Sequence, residues 1–388
     1  CVSAKNKKKY RGIKIKKNQW VNNFEDIVNN NNVDIIVELI GGSEGAAKKL
    51  VFTALKNKKH VVTANKALIS KYGDILAKIA ENNKVNLEFE ASVCGGVPII
   101  RSIKEGLIAN KINRIYGIFN GTSNYILSSM SSNNTTFKKT TDEAIKLGYA
   151  ESNPKSDING EDVGSKVKIL SSLSFNSFLN KDIHIEGIKN IDADDISNAN
   201  KLGYKIKLLG FSEIFGNKLY QRVHPTLVKK SSYIGNVDGV LNAVLIDGKP
   251  IGKNVIQGEG AGPSATTSAL VSDISSILRG NIKFPFAISH SKRKNFLSGK
   301  ISDLFFSSYI RLEVKDKYGV LSDVTKIFSK NKVSIKRILQ TPHKSKKNSS
   351  IVIITHRSKD FHIQKTLKIL AKKSYIIQKP KLLRIENG

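Results

Sequence analysis

The sequence predicts an α/β protein in three parts. These are an incomplete parallel-sheet domain, an α+β middle domain and a C-terminal β-α-β-β-α-β unit. Three observations carry this. Residues 33–91 alternate strand-like apolar runs with helical periodicity, residues 204–227 hold two long strand-like segments, and the last eighty residues repeat a strand–helix pattern. A length of 388 residues agrees with two or three domains.

The first strand is Val33-Asp-Ile-Ile-Val-Glu-Leu39, nearly continuous in apolar residues and ending at Gly41-Gly42, as a buried parallel strand does. Residues 46–56 then place Ala47, Leu50, Val51, Ala54 and Leu55 on one helical face. Residues 60–63 form a second short strand. Leu68, Tyr72, Leu76 and Ile79 mark a helix over 67–80, and Val85, Leu87 and Phe89 alternate along a third strand. Strand–helix–strand–helix–strand is half of a Rossmann-like dinucleotide-binding fold. A complete one opens with a strand, a glycine-rich turn and a helix, and no G-x-G-x-x-G stands at the front of this chain. We therefore expect an N-terminal truncation, with Val2-Ser3-Ala4 ending a strand already under way.

The middle of the chain has a Gly/Pro/Asn loop at 147–160, a helix over 161–175 and strands at 204–212 and 219–227 that predict an antiparallel sheet. The turn Gly258-Glu-Gly-Ala-Gly262-Pro263 opens a helix over 265–278. We expect a nucleotide domain of residues 1–92 completed by 263–285, a catalytic and dimerisation domain of 93–262, and a linker over 286–308. The final unit, 309–388, has strands at 309–315, 333–340, 351–355 and 375–385, helices at 320–330 and 360–373, and a polar hairpin between its second and third strands. That order is the ferredoxin-like split arrangement.

The formal net charge of +32 comes from 64 Lys and Arg against 32 Asp and Glu. Lys, Asn and Ile are abundant in loops and helices alike, as a chain-wide compositional bias makes them. Aromatic residues are 7% and do not interleave with the lysines, so stacking platforms for nucleic acid are not expected. No apolar run reaches the ~18 residues of a membrane span. Cys1 and Cys94 make no disulfide framework, and the composition is cytosolic, so we expect a cytoplasmic protein. The seven histidines show no metal-ligand spacing, and His60 reads as structural.

Chemistry concentrates in Gly148-Tyr-Ala-Glu151-Ser-Asn-Pro-Lys-Ser-Asp157-Ile-Asn-Gly160-Glu-Asp162-Val-Gly-Ser-Lys166. Asp162 and Lys166 lie one helical turn apart and share a face. A lysine held in a closed site can have its pKa lowered enough to exchange a proton near neutrality. Glu151 and Asp157 stand in a turn-rich loop that a packed core does not demand, and carboxylates there suit an ammonium-bearing substrate. Lys66 opens the second helix, where a cation is electrostatically unfavourable and calls for an anionic partner. If residues 2–4 end the second Rossmann strand, Lys5, Asn6, Lys7 and Lys8 follow it with no carboxylate, which favours the 2′-phosphate of NADPH over NADH.

The 144–166 segment resembles the signature of homoserine dehydrogenases. The likeness extends over residues 1–280 through Glu38-Leu-Ile-Gly41-Gly42, His60-Val-Val-Thr-Ala-Asn65-Lys66-Ala67, Phe89-Glu90-Ala-Ser-Val93 and Asn120-Gly-Thr-Ser-Asn-Tyr-Ile-Leu127. A second stretch, Val314-Lys-Asp-Lys-Tyr-Gly319-Val-Leu-Ser-Asp-Val324 with Phe328 and Val333-Ser-Ile335, resembles an ACT domain, a small-molecule-binding regulatory module. The bacterial type of the family carries one at this place.

The resemblance implies Lys166 as general acid/base with Asp162 orienting it or the substrate. It implies Glu151, Gly148 and Asp157 at the substrate, Gly41 and Gly262 at the cofactor, and Lys66 at both cofactor and substrate. It further implies that Glu90, Val93, Gly95 and Val97 bind a monovalent cation, Na+ or K+, largely through backbone carbonyls. Cys94 stands where the family has a smaller residue, and we read it as a buried inert thiol. The implied activity is NAD(P)H-dependent interconversion of L-aspartate 4-semialdehyde and L-homoserine in threonine and methionine biosynthesis, in a homodimer or homotetramer. The implied pathway makes threonine the natural candidate for the ACT ligand, at the turn from Gly319 to Asp323. The alternative is a catalytically impaired fragment acting as an amino-acid-binding ACT sensor. No specific nucleic acid and no membrane is expected as a partner.

Overall fold

The computed structural model describes residues 1–9, 11–179, 182–342 and 348–386. A short helix α1 (Phe24–Val28) precedes β1 (Ile35–Glu38), α2 (Ala46–Lys56), β2 (His60–Thr63), α3 (Lys66–Asn82) and β3 (Leu87–Glu88). A single turn α4 (Ile99–Arg101) and β4 (Lys111–Ile118) follow, then α5 (Gly121–Asn133), α6 (Phe137–Lys146), α7 (Lys155–Asn159), α8 (Glu161–Phe175), β5 (His184–Ile185) and α9 (Ala193–Lys201). Next come β6 (Tyr204–Phe215), β7 (Lys218–Lys229), β8 (Leu241–Lys249), β9 (Gly252–Glu259), α10 (Pro263–Leu278), β10 (Leu297–Ser298) and β11 (Phe305–Lys315). The chain ends with α11 (Val320–Lys330), β12 (Ile335–Pro342), β13 (Asn348–Thr355), β14 (Ser358–Lys359), α12 (Asp360–Leu370) and β15 (Lys381–Glu386).

The chain clusters into two units. The first comprises Cys1–Ile115, Ser165–Lys181 and Ile246–Phe296. Its sheet is parallel in the order β1-β2-β3, with Ile35 opposite His60 and Val61 opposite Leu87. Helix α3 starts where it does because the Asn65 side chain accepts the Leu68 N–H, satisfying one of the free donors of the first turn. Helix α10 lays Leu270 and Ile277 on Val62, with Ile35 and Ala91 beside them. His60 is structural, its Nδ1 accepting the Asn86 N–H at 3.0 Å.

The second unit comprises Tyr116–Gly164, Asp182–Leu245 and Leu297–Gly388. Its strands run in the order β12-β13-β11-β15-β7-β6-β4-β8. Strands β6 and β7 form a long antiparallel pair from Tyr204 opposite Lys229 to Phe215 opposite Lys218. Leu209, Phe211, Tyr116, Val228 and Ala243 build one core on it. Gly117 is required there, because a Cβ would meet the Ala243 carbonyl at 2.1 Å. The C-terminal β-α-β-β-α-β core gathers Ile310, Leu312, Val324, Phe328, Ile351, Ile363 and Leu370.

The second edge of β7 is shared by three strands laid end to end. β10 pairs at Lys218 and Leu219, β5 at Arg222 and Val223, and β15 at Thr226 to Val228, all parallel to it. The C-terminal module thus joins the middle sheet through hydrogen bonds of β15, which is why both fall in one unit.

Several expectations differ from what is seen. The third strand is only Leu87–Glu88, because the chain turns into a 3₁₀ segment at Glu90–Ser92. The last strand is Lys381–Glu386, since Pro380 removes a ladder donor just before it. Within the stretch read as linker, β10 pairs with β7 and Phe305 already opens β11. Part of the polar hairpin, 343–347, lies outside the described residues.

Candidate active site

Within the second unit, the residues singled out from 148 to 162 are organised by the start of α5. Asn120 caps that helix, its side-chain oxygen accepting the Ser123 N–H at 2.8 Å. Its amide donates to Asp157 Oδ1 at 2.7 Å and to Asp162 Oδ2 at 2.9 Å. Two carboxylates are thereby held side by side through one shared donor group. Two residues further on, the Thr122 hydroxyl donates to the Tyr149 carbonyl at 2.6 Å, anchoring the turn that carries Gly148 and Glu151. Gly148 has φ +74°, a left-handed conformation that glycine adopts without strain, and Glu151 is exposed. Asn120 and Thr122 were missed as site residues. The signal was present as an Asn in the N-cap position, but capping alone does not reveal a bridge to residues 37 and 42 positions away.

Gly160 ends α7 with φ +82° and turns the chain directly into α8. A Cβ on it would stand 3.1 Å from Val223 Cγ1 and 3.2 Å from Ile185 Cγ2. Asp162 follows, only 6% exposed, and Lys166, 8% exposed, lies one helical turn further along α8. A carboxylate and an ammonium so far from water are held for polar partners rather than for solvation.

In the first unit, the carboxyl ends of β1 and β2 gather Glu38, Gly41, Thr63, Asn65 and Lys66. The buried Glu38 carboxylate accepts the Thr63 hydroxyl at 2.6 Å and the N–H groups of Ile40 and Gly41 at 2.7 and 2.9 Å. The Asn65 amide donates to the Gly42 carbonyl at 2.7 Å. Gly41 and Gly42 have φ of +82° and +79°, with open space where their Cβ atoms would be. Leu39 and Ile40 are exposed at this turn. A bare backbone turn with apolar neighbours at the carboxyl edge of a parallel sheet is where open α/β sheets receive a dinucleotide, so these residues fit one. Lys66 is the first residue of α3, and Gly262 caps α10 with φ +109°. Lys5 is exposed near the Val2–Trp20 bridge.

The bend from Glu90 to Val97 is a folded structural element. The Glu90 carboxylate accepts the N–H groups of Ile100 and Arg101 at 2.9 and 2.7 Å, so it caps α4. Val93 and Val97 donate to the carbonyls of Glu90 and Cys94, and Gly96 donates to the Glu259 carbonyl at 2.9 Å. A Cβ on Gly96 would stand 2.7 Å from that carbonyl oxygen, while Gly95 has a looser approach to Gly260. Cys94 is buried with φ +53°. Among the described residues, no three His, Cys, Asp or Glu side chains gather to hold a metal. A cation at this bend would rest on main-chain oxygens.

A parallel nucleotide-type sheet, a buried carboxylate–lysine helix after an acidic turn, and a C-terminal ferredoxin-like module define an NAD(P)-dependent oxidoreductase with a regulatory domain. The family model described as homoserine dehydrogenase matches residues 98–275. Its NAD-binding-domain counterpart matches residues 1–90, and an ACT-domain model matches 308–374. The homoserine dehydrogenase of Neisseria gonorrhoeae is 38% identical over 371 residues, covering 93% of this chain and 85% of that protein. The crystal structure of a homoserine dehydrogenase from Thiobacillus denitrificans superposes with a TM-score of 0.89 at 36% identity, covering 95% of this chain and 85% of that one. A hyperthermophilic archaeal homoserine dehydrogenase in complex with NADPH gives a TM-score of 0.59 at 27% identity, over 67% of this chain and 76% of that one. The chain belongs to the homoserine dehydrogenase family.

Proposed function

We propose that this protein interconverts L-aspartate 4-semialdehyde and L-homoserine with NADPH as the preferred cofactor, NADH serving less well. The observation that carries the reading is the Asn120–Asp157–Asp162 cluster at the head of the helix that bears Lys166. When bound, the nicotinamide supplies the hydride that the aldehyde carbon accepts. Lys166 Nζ gives its proton to the aldehyde oxygen as negative charge develops there, and regains one from water. Asp162 orients Lys166 and the substrate. Glu151 and Asp157 face the substrate ammonium, and Gly148 leaves room for it. Lys66, Gly41 and Gly262 hold the cofactor, with Lys5 toward its 2′-phosphate. The 90–97 bend fixes the loop between sheet and helix, and a Na+ or K+ ion would be held by the carbonyls of Glu90, Val93, Gly95 and Val97.

The reading places the protein in threonine and methionine biosynthesis in the cytoplasm, as a dimer or tetramer, with threonine as the ACT ligand at Gly319–Asp323. Among the described residues, no helix is long and apolar enough to cross a membrane. The NADPH complex of the archaeal relative and the absence of an acidic residue from 5–8 support the cofactor choice. The test is Lys166→Met assayed with semialdehyde and NADPH. Turnover should fall by roughly 10²–10⁴-fold while NADPH binding, read by its fluorescence, persists. Undiminished turnover refutes the assignment. Threonine titrated calorimetrically against the full chain should give a saturable heat, and no heat refutes the ligand.

A further inference from the structure

The short segment 184–188 is wedged between the ACT module and the acidic turn. On one side, Arg384 of β15, 1% exposed, donates from Nη1 to both Glu186 oxygens at 3.0 Å and from Nε to Asp360 Oδ1 at 2.8 Å. His184 adds a contact to Glu186 Oε1 at 2.6 Å. On the other side, Ile185 sits where Cβ atoms on Gly160 and Gly164 would stand, 3.2 and 2.8 Å from its methyl groups. The Ile188 N–H donates to the Ile158 carbonyl at 2.9 Å, and a Cβ on Gly187 would meet that carbonyl at 2.2 Å. β7 aligns the whole arrangement, since β5 and β15 pair with it in succession and the Glu186 N–H donates to Val223 O at 2.8 Å.

We propose that Glu186 is a positioning residue. Gripped by Arg384 of the ACT module, it presses Ile185–Ile188 against the turn 158–164 and so fixes Asp157 and Asp162. This rests on the reading of those carboxylates as the substrate site. The buried Arg384 guanidinium holds the half-exposed Glu186 carboxylate through one nitrogen shared by both oxygens, a charge-assisted contact that ties the segment to β15. On the other side the Gly187 backbone lies against the Ile158 carbonyl and Asn159 Cα, which cannot swing aside. A ligand that shifts β15 would therefore be felt at the head of α8, which gives the ACT module a mechanical route to the substrate carboxylates.

The test uses the full chain with Glu186→Gln, Arg384→Lys and, as a control on the site, Asp162→Asn. Hydrogen exchange should speed several-fold in peptides covering 156–164 in Glu186→Gln, with peptides of β6 as protected as in the parent. Arg384→Lys, which keeps one ion pair, should fall between. The KM for homoserine should rise with the KM for NADPH unmoved. Unchanged exchange at 156–164, or a uniform rise across the protein, overturns the clamp. Altered local exchange with an unmoved homoserine KM overturns its catalytic consequence. If Asp162→Asn keeps full turnover, the site assignment fails instead, and the exchange pattern still decides the clamp.

Discussion

A single amide, that of Asn120, hydrogen-bonds Asp157 and Asp162 together at 2.7 and 2.9 Å while its oxygen caps α5. One residue therefore does two jobs that can be separated. Asn120→Asp keeps a good capping oxygen but replaces the donor with a third carboxylate. Its melting temperature should stay within a few degrees of the parent, while the homoserine KM rises at least tenfold. Asn120→Ala should lose both, with about 1 kcal/mol of stability gone through the cap. Equal kinetics in Asn120→Asp and the parent would refute the bridging role.

Cofactor choice is tested at the start of the chain. Lys5→Asp should shift the ratio of kcat/KM values from NADPH toward NADH by about tenfold, since a carboxylate suits a ribose hydroxyl and repels a phosphate. Steady-state kinetics with each cofactor measure this. An unmoved ratio would place the 2′-phosphate elsewhere.

Lys207 is buried on β6, donating to Asn124 Oδ1, Ser128 Oγ, Val237 O and Asp238 Oδ1. Burial pushes its ammonium down to about 8, against the opposing pull of Asp238. Between that value and the ordinary 10.5, the unfolded chain binds more protons than the folded one, so this lysine makes stability rise with pH there. Urea unfolding between pH 8 and 10 should show that rise in the parent and a flatter curve in Lys207→Met. Parallel curves would count against it.

Glu186 responds at the other end of the scale. Burial alone would raise its carboxyl, but the His184 hydrogen bond and the charges of Arg384 and His224 outweigh burial and hold it down to about 2. Its folded value lies below the ordinary 4.5, so its contribution is present above 4.5 and is lost as pH falls toward 2. Glu186→Gln should be less stable than the parent at pH 6, with the gap narrowing steadily as pH falls from 4.5 toward 2. Denaturant midpoints across that range check it, and a constant gap would contradict the pairing.

Gly187→Ala should cost about 1–3 kcal/mol through forced displacement of backbone. The obstacle is the Ile158 carbonyl and Asn159 Cα, at 2.2 and 2.7 Å, which cannot swing aside. Gly164→Ala should cost less, because the atom it meets at 2.8 Å is the flexible end of Ile185. Thermal unfolding of the two variants ranks them, and the reverse order would be a failure of the packing argument.

Local periodicity made much of the fold legible. Helices α2 and α11 fall on the residues their patterns mark, because each buries one apolar face and stops at a polar turn, while α8 is buried on nearly every side. The short β3 was not legible, since Leu87 to Phe89 alternate like a longer strand and only the Glu90 cap on α4 ends it. The acidic turn and Lys66 could be marked from residue type and spacing. Asn120 could not, because its partners are brought to it by the tertiary path of the chain. The sharing of β7 by three distant strands is invisible for the same reason: nothing in residues 218–229 says which segments will lie along them.

That shared edge bears on how the enzyme can be shortened. The main-chain groups of Thr226 to Val228 are paired with β15, the last described strand of the chain. A truncation that removes the ACT module would strip them bare, leaving an open strand margin of the kind that recruits neighbouring molecules into aggregates. A version freed of its regulatory module would need that margin blunted, with a lysine or proline, before its behaviour in solution could be compared with the parent.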